Sequence, residues 1–232
     1  MAAAFKQKVP SGTNMQVELR IQPATSDGYI NYKESAVERW LIQVTPGKDV
    51  AVSPFSGQNA PFIFFVTRAA LRLLATGAMS PITASIQTHP TDPTLLDWKR
   101  RPDIAPSVET EKQLELFTHF FNPSLPQMLR LGTQYSRKAH GVDAVGLYYW
   151  PGMRSAWHHL ENGDRLNQQP HANPFHGALI ITGGSGIAII GDKTVAVHAG
   201  ESYYLPPNTK HSVWNESASA LEFIWIAWGD GA

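Results

Sequence analysis

The chain has 232 residues, long for one small domain and short for two large ones, so one β-barrel with a substantial extension is expected. Nineteen Lys and Arg balance nineteen Asp and Glu, which gives no electrostatic footprint for nucleic acid or an anionic membrane surface. There is no cysteine, so disulfides and thiolate chemistry are excluded and any metal must be held by His, carboxylate or amide. No run approaches the roughly 18 apolar residues needed to span a bilayer. The first residues lack the apolar stretch of a secretory signal, so a soluble, cytoplasmic protein is expected.

Residues 1–14 are polar, with Pro10, Gly12 and Asn14, and predict a frayed leader. From Met15 to about Leu74 the pattern is β-like: MQVELRI alternates, while RWLIQV and FIFFV are short apolar runs punctuated by Pro46-Gly47 and Ser56-Gly57. Between Thr91 and Lys138 the spacing predicts two or three helices. One starts at Thr91-Asp92-Pro93, another covers Glu111 to Phe121 with Leu114, Phe117 and Phe121 on one face, and breaks fall near Pro123 and Pro126. After Gly141 the chain is β again, from VGLYYW to LEFIWIAW, with Pro-Gly, Gly-Gly and Gly-Asp turns. The boundary is expected at residue 140, with 1–140 as an extension of strands then helices and 141–232 as a barrel.

The stretch Gly200-Glu-Ser-Tyr-Tyr-Leu-Pro206-Pro-Asn208-Thr-Lys-His211-Ser-Val-Trp-Asn215 resembles the second motif of the cupin superfamily, G-x5-P-x-G-x2-H-x3-N. Four of its five fixed positions match, and Asn208 stands where the family has glycine. Asparagine tolerates positive φ, so the tight turn survives. The resemblance implies a double-stranded β-barrel, the RmlC-like fold of the superfamily, of its metal-binding type. It makes residues 141–232 that barrel, the N-terminal half a candidate degenerate second cupin, and His211 a metal ligand. The first family motif, G-x5-H-x-H-x3,4-E-x6-G, is altered. One register gives Gly163, Gln169, His171, His176 and Gly183, with glutamine for the first histidine and histidine for the glutamate. A competing register starts at Pro151-Gly152 and uses His158 or His159, of which at most one can face inward because neighbouring strand residues alternate. His176 and His211 are common to both.

The residues make a chemical case beside the resemblance. Six of the nine histidines lie between His158 and His211. Neutral imidazoles suit Fe, Ni, Cu and Zn, and a set without carboxylate favours an anionic substrate or an oxygen species. The expected ligands are His171, His176 and His211, with His158 and Gln169 as further candidates, and the expected ion is Fe(II), with Zn, Mn or Ni as substitutes. His198 is expected to face solvent. Tyr148, Trp150, Trp157, Phe175, Tyr204, Trp214, Trp225 and Trp228 supply core and pocket walls. Arg154 is a candidate grip for a substrate carboxylate, and Tyr204 or Tyr148 a candidate base.

Two classes of function follow. One is a metal-dependent enzyme acting on a small organic substrate, first a mononuclear non-heme iron dioxygenase and otherwise a lyase or isomerase. The other is a non-catalytic ligand-binding cupin. The helical stretch is mixed in charge and carries no basic recognition helix. The apolar last strand, LEFIWIAW, predicts a homodimer that hides it, or cover by the N-terminal strands.

Overall fold

The computed structural model describes every residue except Pro106, residues 124–127 and Pro151, together with the side chain of Val108. The break expected at Pro126 and the first half of the Pro151-Gly152 turn therefore lie outside the described residues. The chain divides into two compact units, Met1–Leu129 and Arg130–Ala232. The division precedes the expected boundary at 140 because Arg137–Ala139 pairs with Val142–Ala144 inside the second unit. No described helix is long and apolar enough to cross a membrane.

The first unit begins with a short helix, α1 (Ala2–Lys6), followed by β1 (Met15–Gln22), β2 (Glu38–Val44), β3 (Ala51–Pro54) and β4 (Phe62–Thr67). Helices α2 (Arg68–Ala75) and α3 (Pro81–Ser85), strand β5 (Leu96–Arg100) and helix α4 (Val108–Thr118) complete it, the last running into a 3-10 turn over His119–Phe121. The sheet order is β3-β2-β1-β4-β5, with β1 parallel to β4 and every other pair antiparallel. It is one open sheet with helices, and not a second barrel.

Strict alternation in MQVELRIQ sends Met15, Val17, Leu19 and Ile21 into the core with Phe62, Phe64, Phe117 and Phe121. Phe64 meets Phe117 at 4.7 Å between ring centroids, and the helical spacing expected for Leu114, Phe117 and Phe121 holds.

Three expectations fail here for local reasons. The leader is not frayed, because α1 buries Phe5 completely against Phe117 and Phe120. The β-like reading to Leu74 stops at Thr67, whose hydroxyl caps Ala70 N–H and starts a helix of Ala and Leu, strong helix formers. No helix starts at Thr91-Asp92-Pro93. The Asp92 carboxylate instead accepts from Thr88 and His89 N–H in a side-chain turn, and a strand follows.

Among the described residues the second unit holds ten strands: β6 (Arg137–Ala139), β7 (Val142–Trp150), β8 (Met153–Leu160), β9 (Arg165–His171), β10 (His176–Gly183), β11 (Ser185–Ile190), β12 (Lys193–His198), β13 (Ser202–Leu205), β14 (His211–Trp214) and β15 (Leu221–Trp228). They form a six-stranded sheet, β13-β10-β15-β8-β7-β6, and a four-stranded sheet, β12-β11-β14-β9. Side chains from both fill the space between: Leu160, Leu166, Leu179, Ile181, Ala188, Val213 and Phe223 are all buried there. The apolar last strand is not an edge. β15 lies between β10 and β8, so its ladder is satisfied within the unit.

Two of the positive-φ turns bear on the barrel. Gly184, at φ +70, follows the register shift in β10, and a Cβ there would sit 2.0 Å from the Ala220 carbonyl oxygen. Asn208 adopts φ 62, as the glycine position of the motif requires, and its N–H donates to the Asn173 carbonyl at 2.6 Å. Replacing Asn208 by Gly is therefore expected to leave stability within about 0.5 kcal/mol of the parent. Asn208→Ala should cost about 1 kcal/mol, because a Cβ without a side-chain acceptor disfavours this region. Urea titration of both variants tests the pair.

Candidate functional site

Register decides which side chains enter the barrel. Along β8 the inward row is Arg154, Ala156, His158 and Leu160, paired respectively with Ala227, Trp225, Phe223 and Leu221 of β15. His158 therefore points in and His159 out, as alternation required. His159 forms ion pairs with Glu161 at 2.9 Å and Glu222 at 3.1 Å. Burial lowers its pKa, but the two carboxylates outweigh that and raise it. His198 is exposed, as expected.

His211, at the start of β14, is 4% exposed. Its Nδ1 lies 3.2 Å from the Thr209 carbonyl, an acceptor, so Nδ1 carries the hydrogen and Nε2 keeps its lone pair. Burial lowers its pKa and keeps it neutral. Across the ladder is His171, exposed, with Nε2 3.1 Å from Asn173 Oδ1. The two ring centroids are 6.4 Å apart. A cavity of about 10 Å³ beside His211, bordered by Asn173, Phe175, Gly177, Leu205 and Trp225, is the size of one water.

His176 borders this cavity, but the register turns its ring the other way. Gly177 pairs with Leu205 and Ala227 on the inner face, so His176 shares the outer face with Trp228, and Tyr204 stands beside Ala178 on that face. Its ring stacks at 5.9 Å on both Trp228 and Tyr204, and Nδ1 shares a hydrogen bond with the Tyr204 hydroxyl. The interior position next to His211 is thus a glycine. This also removes Tyr204 from the barrel interior, since its hydroxyl is engaged outside. Tyr148 is 38% exposed on β7, and neither it nor Gln169, exposed on β9, borders the cavity.

His158 lies one inward rung beyond Trp225, about 7 Å along the strand. It stacks on Phe223 at 4.9 Å and 17°, and its buried Nδ1 has no hydrogen-bond partner. Desolvation, with a smaller contribution from the charge of His140, pushes its pKa down to about 3, so it is a neutral core histidine.

The expected three-histidine centre does not fit these positions. Metal–nitrogen bonds of about 2.1 Å at a tetrahedral angle bring two ligand rings to about 5 Å between centroids. At 6.4 Å the His171 and His211 rings reach one ion only in a near-linear arrangement. The third ligand faces outward, and among the described residues no group of three His, Cys, Asp or Glu could hold a metal ion.

Sequence reasoning did not single out Asn173 or Gly177, and it treated Asn215 only as a motif letter. Asn215 is fully buried, donating from Nδ2 to the Leu160 and Ser219 carbonyls and accepting from Ser217 N–H. It pins the turn after β14 and has no part in the cavity.

Arg154 occupies the outermost rung of the inward row. Its guanidinium lies 5.2 Å from the Tyr149 ring and 5.3 Å from Phe175, which also borders the His211 cavity. Nη2 donates to the Gly231 carbonyl at 2.9 Å, while the buried Nε has no partner. Among the described residues no carboxylate forms an ion pair with it.

Two facing sheets around an apolar interior, with the turn at Asn208 presenting His211, define a small double-sheet barrel. Residues 156–227 match the Cupin domain family, and the second unit accordingly contains a cupin domain. Among solved structures, a Cupin 2 conserved barrel domain protein from Salinispora arenicola is 21% identical over 44% of this chain and 87% of its own, at a TM-score of 0.40. A protein from Photorhabdus luminescens is 20% identical over the same shares, also at 0.40. An RmlC-like cupin from Shewanella frigidimarina is 14% identical over 40% of this chain and 80% of its own, at 0.36. No curated protein matches the chain.

Proposed function

We propose that the cupin domain binds a small organic anion at the end of the barrel where β8 begins and β15 ends, with Arg154 as the counter-charge. The observation that carries this reading is the orphaned Nε of Arg154, a buried donor on a cation without an acidic partner, beside the aromatic rings of Tyr149 and Phe175. A carboxylate there accepts charge-assisted hydrogen bonds, which are stronger in a desolvated setting. This is the binding-module reading, and it assigns no chemical step.

A metal-dependent dioxygenase, or a lyase or isomerase, is the second reading. What favours it is the His211 tautomer, which leaves Nε2 with its lone pair, and the neighbouring ring of His171 at 6.4 Å. An ion there would supply Lewis acidity or oxygen chemistry. It requires the two rings to close and a third ligand to be recruited.

Calorimetric titration of chelator-treated protein with a panel of small carboxylates separates the two. The binding reading expects at least one acid to bind without metal. Arg154→Ala should weaken that acid by about 10- to 100-fold, the loss of one or two hydrogen bonds to a charged group, and Arg154→Lys should recover part of it. Equal affinity in Arg154→Ala, or binding only after Fe(II) is restored, overturns it.

A further inference from the structure

The first unit carries a cavity that the barrel does not use. It lies on the face of the sheet opposite the apolar core, has a volume of about 460 Å³, and so falls within the range of small-molecule pockets. Alternation along β1 creates it. While Val17, Leu19 and Ile21 face the core, Glu18, Arg20 and Gln22 face the other way. Arg20 sits opposite Arg39 on β2 and Phe65 on β4, and Lys99 on β5 joins the same face. The segment bearing Tyr32 forms the remaining wall.

The charges are arranged with a surplus toward the opening. Fully buried Glu18 takes Nε and Nη2 of Arg20 and Nε of Arg39. Asp97 is engaged by the Tyr32 hydroxyl, and Glu34 at the rim accepts from Asn31 Nδ2 at 2.9 Å. Lys99 lies over the Tyr32 ring at 4.6 Å and the Phe65 ring at 5.5 Å, and among the described residues no carboxylate forms an ion pair with it. A second observation is independent of charge. Gln22 borders the cavity, is only 7% exposed, and its Oε1 is buried without a hydrogen-bond partner. A buried orphan acceptor is a cost unless something donates to it.

We propose that this cavity binds a small organic anion that carries its own O–H or N–H donor. The anionic group meets Lys99 and the outer N–H groups of Arg39, and the donor meets Gln22 Oε1 after a turn of its terminal amide, a soft torsion. The body of the ligand packs against Tyr32 and Phe65. Glu34 at the rim selects further for a ligand with a donor and against a bare polyanion.

The test is calorimetric titration of the full chain in an Arg154→Ala background, so that the barrel's anion site does not contribute. The probes are glycerol 3-phosphate and citrate, anions with hydroxyl groups, and sulfate, an anion without a donor. At least one hydroxylated probe is expected to bind with a Kd below about 1 mM and at least about tenfold more tightly than sulfate. Gln22→Met removes the acceptor at nearly constant volume and Lys99→Gln removes the charge. Each should weaken that probe by about tenfold or more, while Gln22→Met melts no lower than the parent because no orphan remains. Neither hydroxylated probe outbinding sulfate, or unchanged affinity in either variant, overturns the proposal.

Discussion

The cupin domain is expected to lose on the order of 5 kcal/mol of stability as the pH falls from 6.5 toward 3, through one histidine. His158 is buried against Phe223 with an unpartnered Nδ1, and its pKa in the folded chain is pushed down to about 3. The unfolded chain takes up this proton near pH 6.5 and the folded chain does not. Between the two values the unfolded state holds one proton more, so unfolding is favoured by about 1.4 kcal/mol per pH unit as the pH drops. The stability is complete above 6.5 and lost downward through that window. Since a domain has about 5–15 kcal/mol in all, unfolding should set in before pH 3.

His211, also lowered by burial, acts in the same direction. His159 is raised by its two carboxylates and acts oppositely, its contribution being present at low pH and lost as the pH rises through its folded value. Urea midpoints from pH 7 to 4 for the parent and His158→Leu isolate the term. The variant should be at least as stable at pH 7, where the orphan nitrogen is gone, and should show a slope shallower by close to one proton. Equal slopes would mean that His158 finds a proton acceptor when it ionises.

In the first unit, Glu18→Ala is expected to cost about 3–5 kcal/mol. Its carboxylate is fully buried, 2.7 Å from Arg20 Nε, 2.6 Å from Arg39 Nε and 3.6 Å from an Arg101 nitrogen. Burial would raise the Glu18 pKa, but the hydrogen bonds and attraction from Arg20 and Arg39 outweigh it and hold it below the ordinary value. Its contribution is therefore complete at neutral pH, present above the unfolded value, and lost as the pH falls through the folded one. Removing it leaves three guanidinium groups facing one another with no counter-charge. Their partial exposure admits water, which favours the lower end of the range. Glu18→Gln keeps the shape but only one acceptor, its NH2 end facing guanidinium groups that also only donate, so it should recover only a small part of that loss in a denaturant titration. A loss under about 1 kcal/mol for Glu18→Ala would show that the arginines are already hydrated.

What the sequence determined by itself was local. The spacing from Gly200 to Asn215 fixes a turn with Asn208 at positive φ ahead of His211, because the backbone of a tight turn depends on residues within a few positions. Alternation in MQVELRIQ and the spacing of Leu114, Phe117 and Phe121 likewise named the faces that became core. Thr67 and Asp92 show the limit of that reading. A short oxygen-bearing side chain can cap a helix or close a turn, and only the packing around it selects one.

Tertiary structure alone decided the orientation of His176. Counting residues to Gly183 finds the family position but not the face of the strand, and a one-residue shift reverses every side chain. β10 changes register between Ile181 and Gly183, which sets Gly177 inward and His176 outward onto Tyr204 and Trp228. The pairing of β8 with β15 brings Arg154 and His158 into one inward row and leaves each with an unpartnered nitrogen. Whether a polar side chain in a barrel is a ligand, a grip or a buried neutral group depends on which atoms of distant strands lie opposite it, and that opposition is fixed only when the sheets close.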